Sequence, residues 1–257
     1  MIFWPLAAVA LATAVIMIAG WTWQRRTRNA GIVDVLWALS MAGSALFYAA
    51  RAQGSGTARA LVAVLGGIWG LRLALHLAHR VLHEPEDGRY RYLREYWRDD
   101  QRKFFAFFMA QALFTAIFSL PFLVAASNPL DAWSGQIFVA LLIWSISLGG
   151  EAIADRQLAA WRANPAHRGK TCRSGLWRYS RHPNYFFECL HWFAYVLLAL
   201  GSSWWWLSLL GPALMLISLC WITGIPYVEA QALRSRGDDY REYQRTTSVL
   251  IPWPPRH

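Results

Sequence analysis

Charge is scarce in this chain. Only 16% of its 257 residues are Asp, Glu, Lys or Arg, where soluble domains carry about 25%. Acid is scarcer still, with 15 Asp and Glu against 25 Lys and Arg. Cysteine is limited to Cys172, Cys189 and Cys220. An odd number without metal-type spacing argues against both a disulfide framework and a zinc site. Gly-x-Gly-x-x-Gly is absent, so a dinucleotide would not be held by a Rossmann domain. Gly169-Lys170-Thr171 looks like the end of a phosphate-binding P-loop, but that motif needs glycine where Asn164 stands, and a strand before it. Serine-hydrolase and zinc-protease motifs are missing as well.

What is abundant is apolar surface. The chain is 56% hydrophobic with sixteen Trp, and its mean hydropathy is +0.25. Trp concentrates where an apolar ring meets a wet edge, as at membrane interfaces. Apolar runs occur at Ile2–Trp23, Ile32–Ala50, Ala60–Leu82, Phe104–Ala126, Ala132–Gly150, Asn184–Leu200 and Ser203–Ile225. Most reach the ~20 residues that span a bilayer. They leave no room for a separate soluble domain, so one all-α, polytopic, membrane-embedded domain over 1–257 is expected, with about seven transmembrane helices. The sixth and seventh runs, parted only by Gly201-Ser202, are expected to form a tight hairpin. The first run lacks a basic n-region, is long for a signal peptide and is followed by Arg25-Arg26, so it reads as a retained helix.

With the N-terminus outside, 22 of the 25 Lys and Arg fall in the inner segments. The positive-inside rule therefore predicts an outside N-terminus and a cytoplasmic C-terminus. The net charge of +10 sits in clusters between apolar runs, which suits topology and anionic phosphates and not nucleic acid.

Polar residues within spans are expensive and need a reason. Arg72, His76, His79, Arg80 and His83 share one helical face, with Trp69 just above. No carboxylate or Cys accompanies them within the span, which argues against a metal. His79 to His83 suit side chains reaching towards headgroups, whereas Arg72 lies too deep and suits a wet cavity. Glu151, Asp155 and Arg162 make a second stripe. They either neutralise one another or form a polar wall, in which Arg binds phosphate and the carboxylates accept from ribose hydroxyls or an amide.

The densest segment is Arg173-Ser-Gly-Leu-Trp-Arg-Tyr-Ser-Arg181-His182-Pro-Asn184-Tyr185, then Glu188 and His191. Arg173, Arg178, Arg181 and His182 stand before a helix that Pro183 can open. Free N–H groups, the helix dipole and neighbouring arginines together suit an anion. Topogenic positive charge alone accounts for Arg178. Further on, Glu229 begins a short polar helix leading to Gly237-Asp-Asp-Tyr240-Arg-Glu-Tyr243. Tyr240 and Tyr243 are placed either to stack on an aromatic ring or cap a ribose, or to lie in an amphipathic helix on the headgroups.

Leu176-Trp-Arg-Tyr-Ser-Arg-His-Pro-Asn-Tyr185 with Glu188, Glu229 and Gly237-Asp-Asp-Tyr240-x-x-Tyr243 resembles the steroid 5-alpha-reductase superfamily and, within it, the bacterial DUF1295 proteins. The resemblance spans roughly residues 30 to 253 and is strongest over 150–253. It implies a seven-helix fold holding NADPH in a cytoplasmic cavity and reducing a carbon–carbon double bond conjugated to a carbonyl, in a lipophilic steroid-like or isoprenoid substrate. It also implies the inner membrane of a bacterium.

Carried over by position, Asp155, Arg162, Asn184 and Glu188 match cofactor-contacting positions, and Arg72 matches an arginine of the third helix. Asp34 falls where eukaryotic members keep a Gln-Glu pair, with Val33 at the Gln position. Trp69 aligns with the catalytic Tyr, although an indole N–H is a poorer proton source than a phenol.

Asp34 is the only acid in the second run, and it is the expected proton donor, raised by desolvation. Alternatively it caps its helix or pairs with Arg72 or Arg28, and the acid is then sought among Tyr90, Tyr92 and His76. Two other readings remain: an S-adenosylmethionine-dependent methyltransferase of the isoprenylcysteine carboxyl type, which shares Arg-His-Pro-x-Tyr and the Gly-x-x-Tyr-x-x-Tyr tail, and a non-enzymatic sterol-binding protein. The cations of Arg72 to His83 and the Asp155/Arg162 pair favour the phosphate-rich dinucleotide.

Overall fold

A computed structural model describes residues 3–129 and 135–256. Among these residues the regular structure is entirely helical, and six helical segments, two of them interrupted (Gln101–Ala126 and Trp205–Arg236), are long and apolar enough to cross a membrane. A further apolar helix, Pro183–Ala199, has 17 residues. The all-α membrane architecture is thus as expected. Residue 2 of the first expected run and residues 132–134 of the fifth lie outside the described residues. The chain divides into two compact units, 3–129 with 198–211 and 135–197 with 212–256. Each is described in turn.

The first unit contains α1 (Phe3–Thr27), α2 (Ile32–Arg51), α3 (Gly56–His83), α4 (Gly88–Tyr96), α5 (Gln101–Phe118) and α6 (Leu120–Ala126). Close packing of α2 on α3 follows from small residues. A Cβ on Gly70 would lie 2.9 Å from both the Cβ and the amide nitrogen of Ala42, and one on Gly66 only 2.6 Å from the Ala45 Cβ. Such small-residue seams let membrane helices approach backbone to backbone. Beneath the seam lies a core of Met17, Val33, Tyr90, Phe104 and Phe108.

The expected fourth run is broken in two. Pro121 has no N–H and its ring crowds the carbonyl four residues back, so the helix cannot pass through it unbroken. The break at Ser119 is stabilised by the Ser119 hydroxyl, which donates to the Ala116 carbonyl at 2.8 Å and meets the Tyr48 hydroxyl at 2.9 Å. Asn128 closes this unit on the other side. Its amide donates to the carbonyls of Leu198 (2.6 Å) and Leu200 (2.7 Å), which the end of a helix otherwise leaves orphaned.

The second unit contains α7 (Gly135–Ala163), most of α8 (Pro183–Ala199) and α9 (Leu210–Ile217), then α10 (Ile225–Arg236) and α11 (Asp238–Thr246). Pro183 opens α8, as its fixed φ favours. The expected seventh run is not one straight helix. A 3-10 turn at Trp205–Leu209 precedes α9, and a π-helical turn at Ser218–Ile222 follows it. The chain then bends at Gly224, where an added Cβ would sit 2.6 Å from the Leu219 carbonyl oxygen, and Pro226 starts α10 afresh. Glu229 therefore lies within α10 and does not begin it.

Candidate functional site

In the second unit the segment entering α8 is locked to α10, α11 and the strap after them. Arg181 is buried. Its Nε donates to Glu229 at 2.7 Å, and its Nη1 to the carbonyls of Gln244 (2.9 Å) and Thr247 (2.8 Å). His182 Nε2 and Gln244 Nε2 complete the cage around Glu229, at 3.1 and 2.7 Å. A carboxylate with this many donors, one of them a guanidinium, offsets its own desolvation. His182 stacks on Tyr185, with ring centroids 5.3 Å apart.

Tyr243 is buried and its hydroxyl donates to the carbonyls of Trp177 and Ser180. Tyr240 is buried beside it. The Arg-His-Pro segment and the Gly-x-x-Tyr-x-x-Tyr tail, far apart in sequence, are therefore two halves of one interlock. Arg181 and Tyr243 use their polar atoms to hold it together.

Arg173 is taken up by Asp239 at 2.9 Å, and Asp239 also accepts the Thr171 N–H at 2.7 Å. Burial pushes the Asp239 carboxyl up, but the Thr171 contacts, then Arg173 and Arg236, outweigh it and hold the acid below its usual range. A depressed acid contributes stability above its ordinary range, and loses it as the pH falls through the folded value. The Thr171 amide should thus exchange slowly at neutral pH and lose protection as the pH drops below about 4. Asp239→Asn should abolish that step in a hydrogen-exchange titration. Full protection of Thr171 retained in strong acid would place its anchor elsewhere.

Asn184 and Asp155, two of the expected cofactor positions, are brought together across α8 and α7, with the amide donating to the carboxylate at 3.3 Å. The Asn184 amide oxygen is buried without a hydrogen-bond partner. Trp177 donates to the Ala154 carbonyl (2.9 Å) and the Leu176 N–H to Gln157 (2.8 Å), which fixes this pair one helical step away. Glu188 lies a turn further along α8, half-buried, and Arg162 two turns beyond Asp155 on α7, exposed.

The first unit holds a separate polar cluster. Asp34, in the first turn of α2, accepts from the Tyr90 hydroxyl at 2.6 Å and from Arg89 at 3.1 Å. Its partners are on α4, while Arg28 pairs with Asp99 at 3.0 Å. Asp87 caps α4 and binds Arg89 (3.1 Å) and Arg80 (3.2 Å). Burial pushes the Tyr90 phenol up and the neighbouring Asp34 charge pushes it further. Tyr90 thus stays a protonated donor through neutral pH.

Asp34 and Tyr90 line a cleft of about 20 Å³ with Asn29, Arg80 and Asp87, room for one water. Trp69 is fully buried between Trp37 and Phe122. Arg72, one turn on, is half-buried. His79 and His83 stack on each other, centroids 4.4 Å apart. The residues that sequence reasoning passed over here are Asp87 and Arg89, the cap and first turn of α4, in a segment that reads as topogenic charge. The acids Glu86 and Asp87 were the available signal.

The sequence matches the family described as "Protein of unknown function (DUF1295)" over residues 20–247. The chain belongs to the DUF1295 family. The match takes in both units, and with them the Asp34 cluster and the Arg181–Glu229 interlock of this DUF1295 member. No curated protein and no solved structure matches the chain.

Proposed function

We propose that this DUF1295 protein is an NADPH-dependent reductase of a carbon–carbon double bond conjugated to a carbonyl, acting on a lipophilic steroid-like or isoprenoid substrate. DUF1295 is related to steroid 5-alpha-reductase-like proteins, and the reading places the chain in a bacterial inner membrane with its N-terminus outside and its chemistry on the cytoplasmic side. The observation that carries it is the Tyr90–Asp34 pair. A buried phenol hydrogen-bonded to a carboxylate that an arginine holds in place is the equipment of a proton donor. A methyl transfer has no need of one.

The residues present suit the dinucleotide. The partnerless Asn184 amide oxygen beside Asp155 can accept from a carboxamide or a ribose hydroxyl. Arg156, Arg162, Arg168 and Lys170, all exposed at the end of α7 and just beyond, suit its phosphates. NADPH held there would supply the hydride that such a reduction requires. Within the first unit, Asp34 and Arg89 orient the Tyr90 phenol, which would supply the proton that such a reduction calls for. The adjoining cleft has room for one water, which would return a proton to Tyr90. In this reading Asp34 is the orienting acceptor, and Tyr90 carries the proton.

Purification in mild detergent followed by mass spectrometry of bound nucleotides tests the cofactor. NADP(H) at near-stoichiometric amounts is expected. S-adenosylmethionine in its place would overturn the reductase.

A further inference from the structure

The C-terminal strap, residues 247–256, lies in the second unit against the segment that enters α8. It is pinned at four points: Arg181 N–H to the Ser248 carbonyl (2.8 Å), the Ser180 hydroxyl to the Leu250 carbonyl (2.8 Å), Trp253 N–H to the Tyr179 carbonyl (2.9 Å) and Arg256 N–H to the Thr246 carbonyl (2.8 Å). The strap bends at Thr247 and again over 249–251, and the Arg256 bond to Thr246 closes it into a loop. Ser248 and Leu250 are half-buried, whereas Val249, Ile251 and Trp253 are exposed, the last two at 64% and 65%. Three exposed positions of the strap are thus apolar, the last of them the residue type that favours membrane interfaces. Tyr179 to Arg181 directly precede the apolar helix α8, so the stripe runs where the chain passes into the bilayer.

Val249 and Trp253 also border a cavity of about 380 Å³, lined among others by Arg181, Arg245, Thr246, Ser248 and Arg256. Its lining contains three arginines and no carboxylate. Arg181 is committed to Glu229 and two carbonyls and forms only the floor. Arg245 pairs with Glu242, but both are substantially exposed, and such surface pairs are weak and screened. Arg256 is exposed. A cationic cavity with hydroxyls in its wall suits a phosphate group. The apolar stripe beside it indicates that the phosphate comes with acyl chains.

We infer that the strap and this cavity form a headgroup site for an anionic phospholipid, with Arg245 and Arg256 on the phosphate and Val249, Ile251 and Trp253 among the acyl chains. The site does not depend on the enzymatic reading. It is distinct from the Asn184–Asp155 pair and gives the protein a preference for anionic membrane.

Native mass spectrometry of the full chain in mild detergent, after exposure to phosphatidylglycerol or phosphatidylcholine, measures this directly. The parent protein should retain phosphatidylglycerol about tenfold or more over phosphatidylcholine. The exposed double variant Arg245→Gln/Arg256→Gln should lose that preference, since each charge-assisted bond accounts for about tenfold in affinity. Val249→Ser/Ile251→Ser should weaken retention of both lipids. Equal retention of phosphatidylglycerol by parent and arginine variant would overturn the site. So would inorganic phosphate displacing the lipid or, in lipid-free detergent, raising the melting temperature in an Arg245/Arg256-dependent way. That result would assign the cavity to a free phosphate.

Discussion

On the reductase reading, Tyr90→Phe should lower hydride transfer to an enone by about a hundred- to ten-thousandfold without loss of NADPH binding. The phenylalanine ring fits the same core of Met17, Val33, Phe104 and Phe108, so the change removes one hydroxyl and its proton and little else. Asp34 keeps Arg89 as a partner, and no buried charge is stranded. The loss should fall on kcat and not on KM, because the proton is needed only as charge develops on the substrate.

Asp34→Asn should give a smaller loss, since an amide still orients the phenol. Tyr92→Phe, at an exposed position on the same short helix, should have no effect. Because burial and Asp34 both hold the Tyr90 proton on, the parent rate should not fall as the pH rises from 6 to about 9. Unchanged turnover in Tyr90→Phe would remove the pair from the chemistry, and with it the observation on which the reductase reading rests.

Arg181→Ala should destabilise the protein by about 3–5 kcal/mol, read as a lowered thermal midpoint in detergent. The magnitude follows from what remains. Glu229 would stay beneath α11 with its guanidinium gone, and the carbonyls of Gln244 and Thr247 would lose their donor. Glu229→Gln should cost a similar amount by stranding Arg181. Arg181→Met combined with Glu229→Leu should cost less than either single change, because replacing both partners leaves no unpaired charge. The exposed Arg178→Ala should stay within about 0.5 kcal/mol of the parent. A loss under 1 kcal/mol for Arg181→Ala would mean that this arginine waits for a ligand and is no part of the interlock.

Long apolar runs made the membrane helices legible, because hydropathy averaged over twenty residues is the signal that insertion itself reads. The same averaging hides single-residue events. Pro121 and Gly224 each interrupt a run whose mean hydropathy barely notices them, so the breaks at Ser119 and before α10 emerge only in three dimensions. Spacing arguments also work along one helix at a time. They placed Asp155 and Arg162 on one face of α7 but could not pair Asp34 with Tyr90, 56 residues away, or find that Glu229 and Asp239 absorb Arg181 and Arg173, 48 and 66 residues upstream. Charge before a helix suggests an anion site in the sequence, where the acids that pair with Arg181 and Arg173 lie too far along the chain to be seen. The Gly-Asp-Asp-Tyr pattern drew attention to its tyrosines, when Asp239 ties the Thr171–Arg173 segment to α11.

The distance along the chain between Arg181 and its acceptors has a consequence for how the protein is made. The last of them, the Thr247 carbonyl, is 66 residues downstream. At about 5–20 residues per second, the ribosome needs roughly 3 to 13 s to deliver it. Until Glu229 follows, 48 residues on, the entry to α8 carries a guanidinium with no internal acceptor, and its set of acceptors is complete only with Thr247. The helix can therefore insert early, but its entry cannot bury Arg181 until α11 has been synthesised. Quality control during synthesis would meet this second unit as a set of inserted helices with an unsealed entry to α8, closed only once α11 and the Thr247 carbonyl have been made.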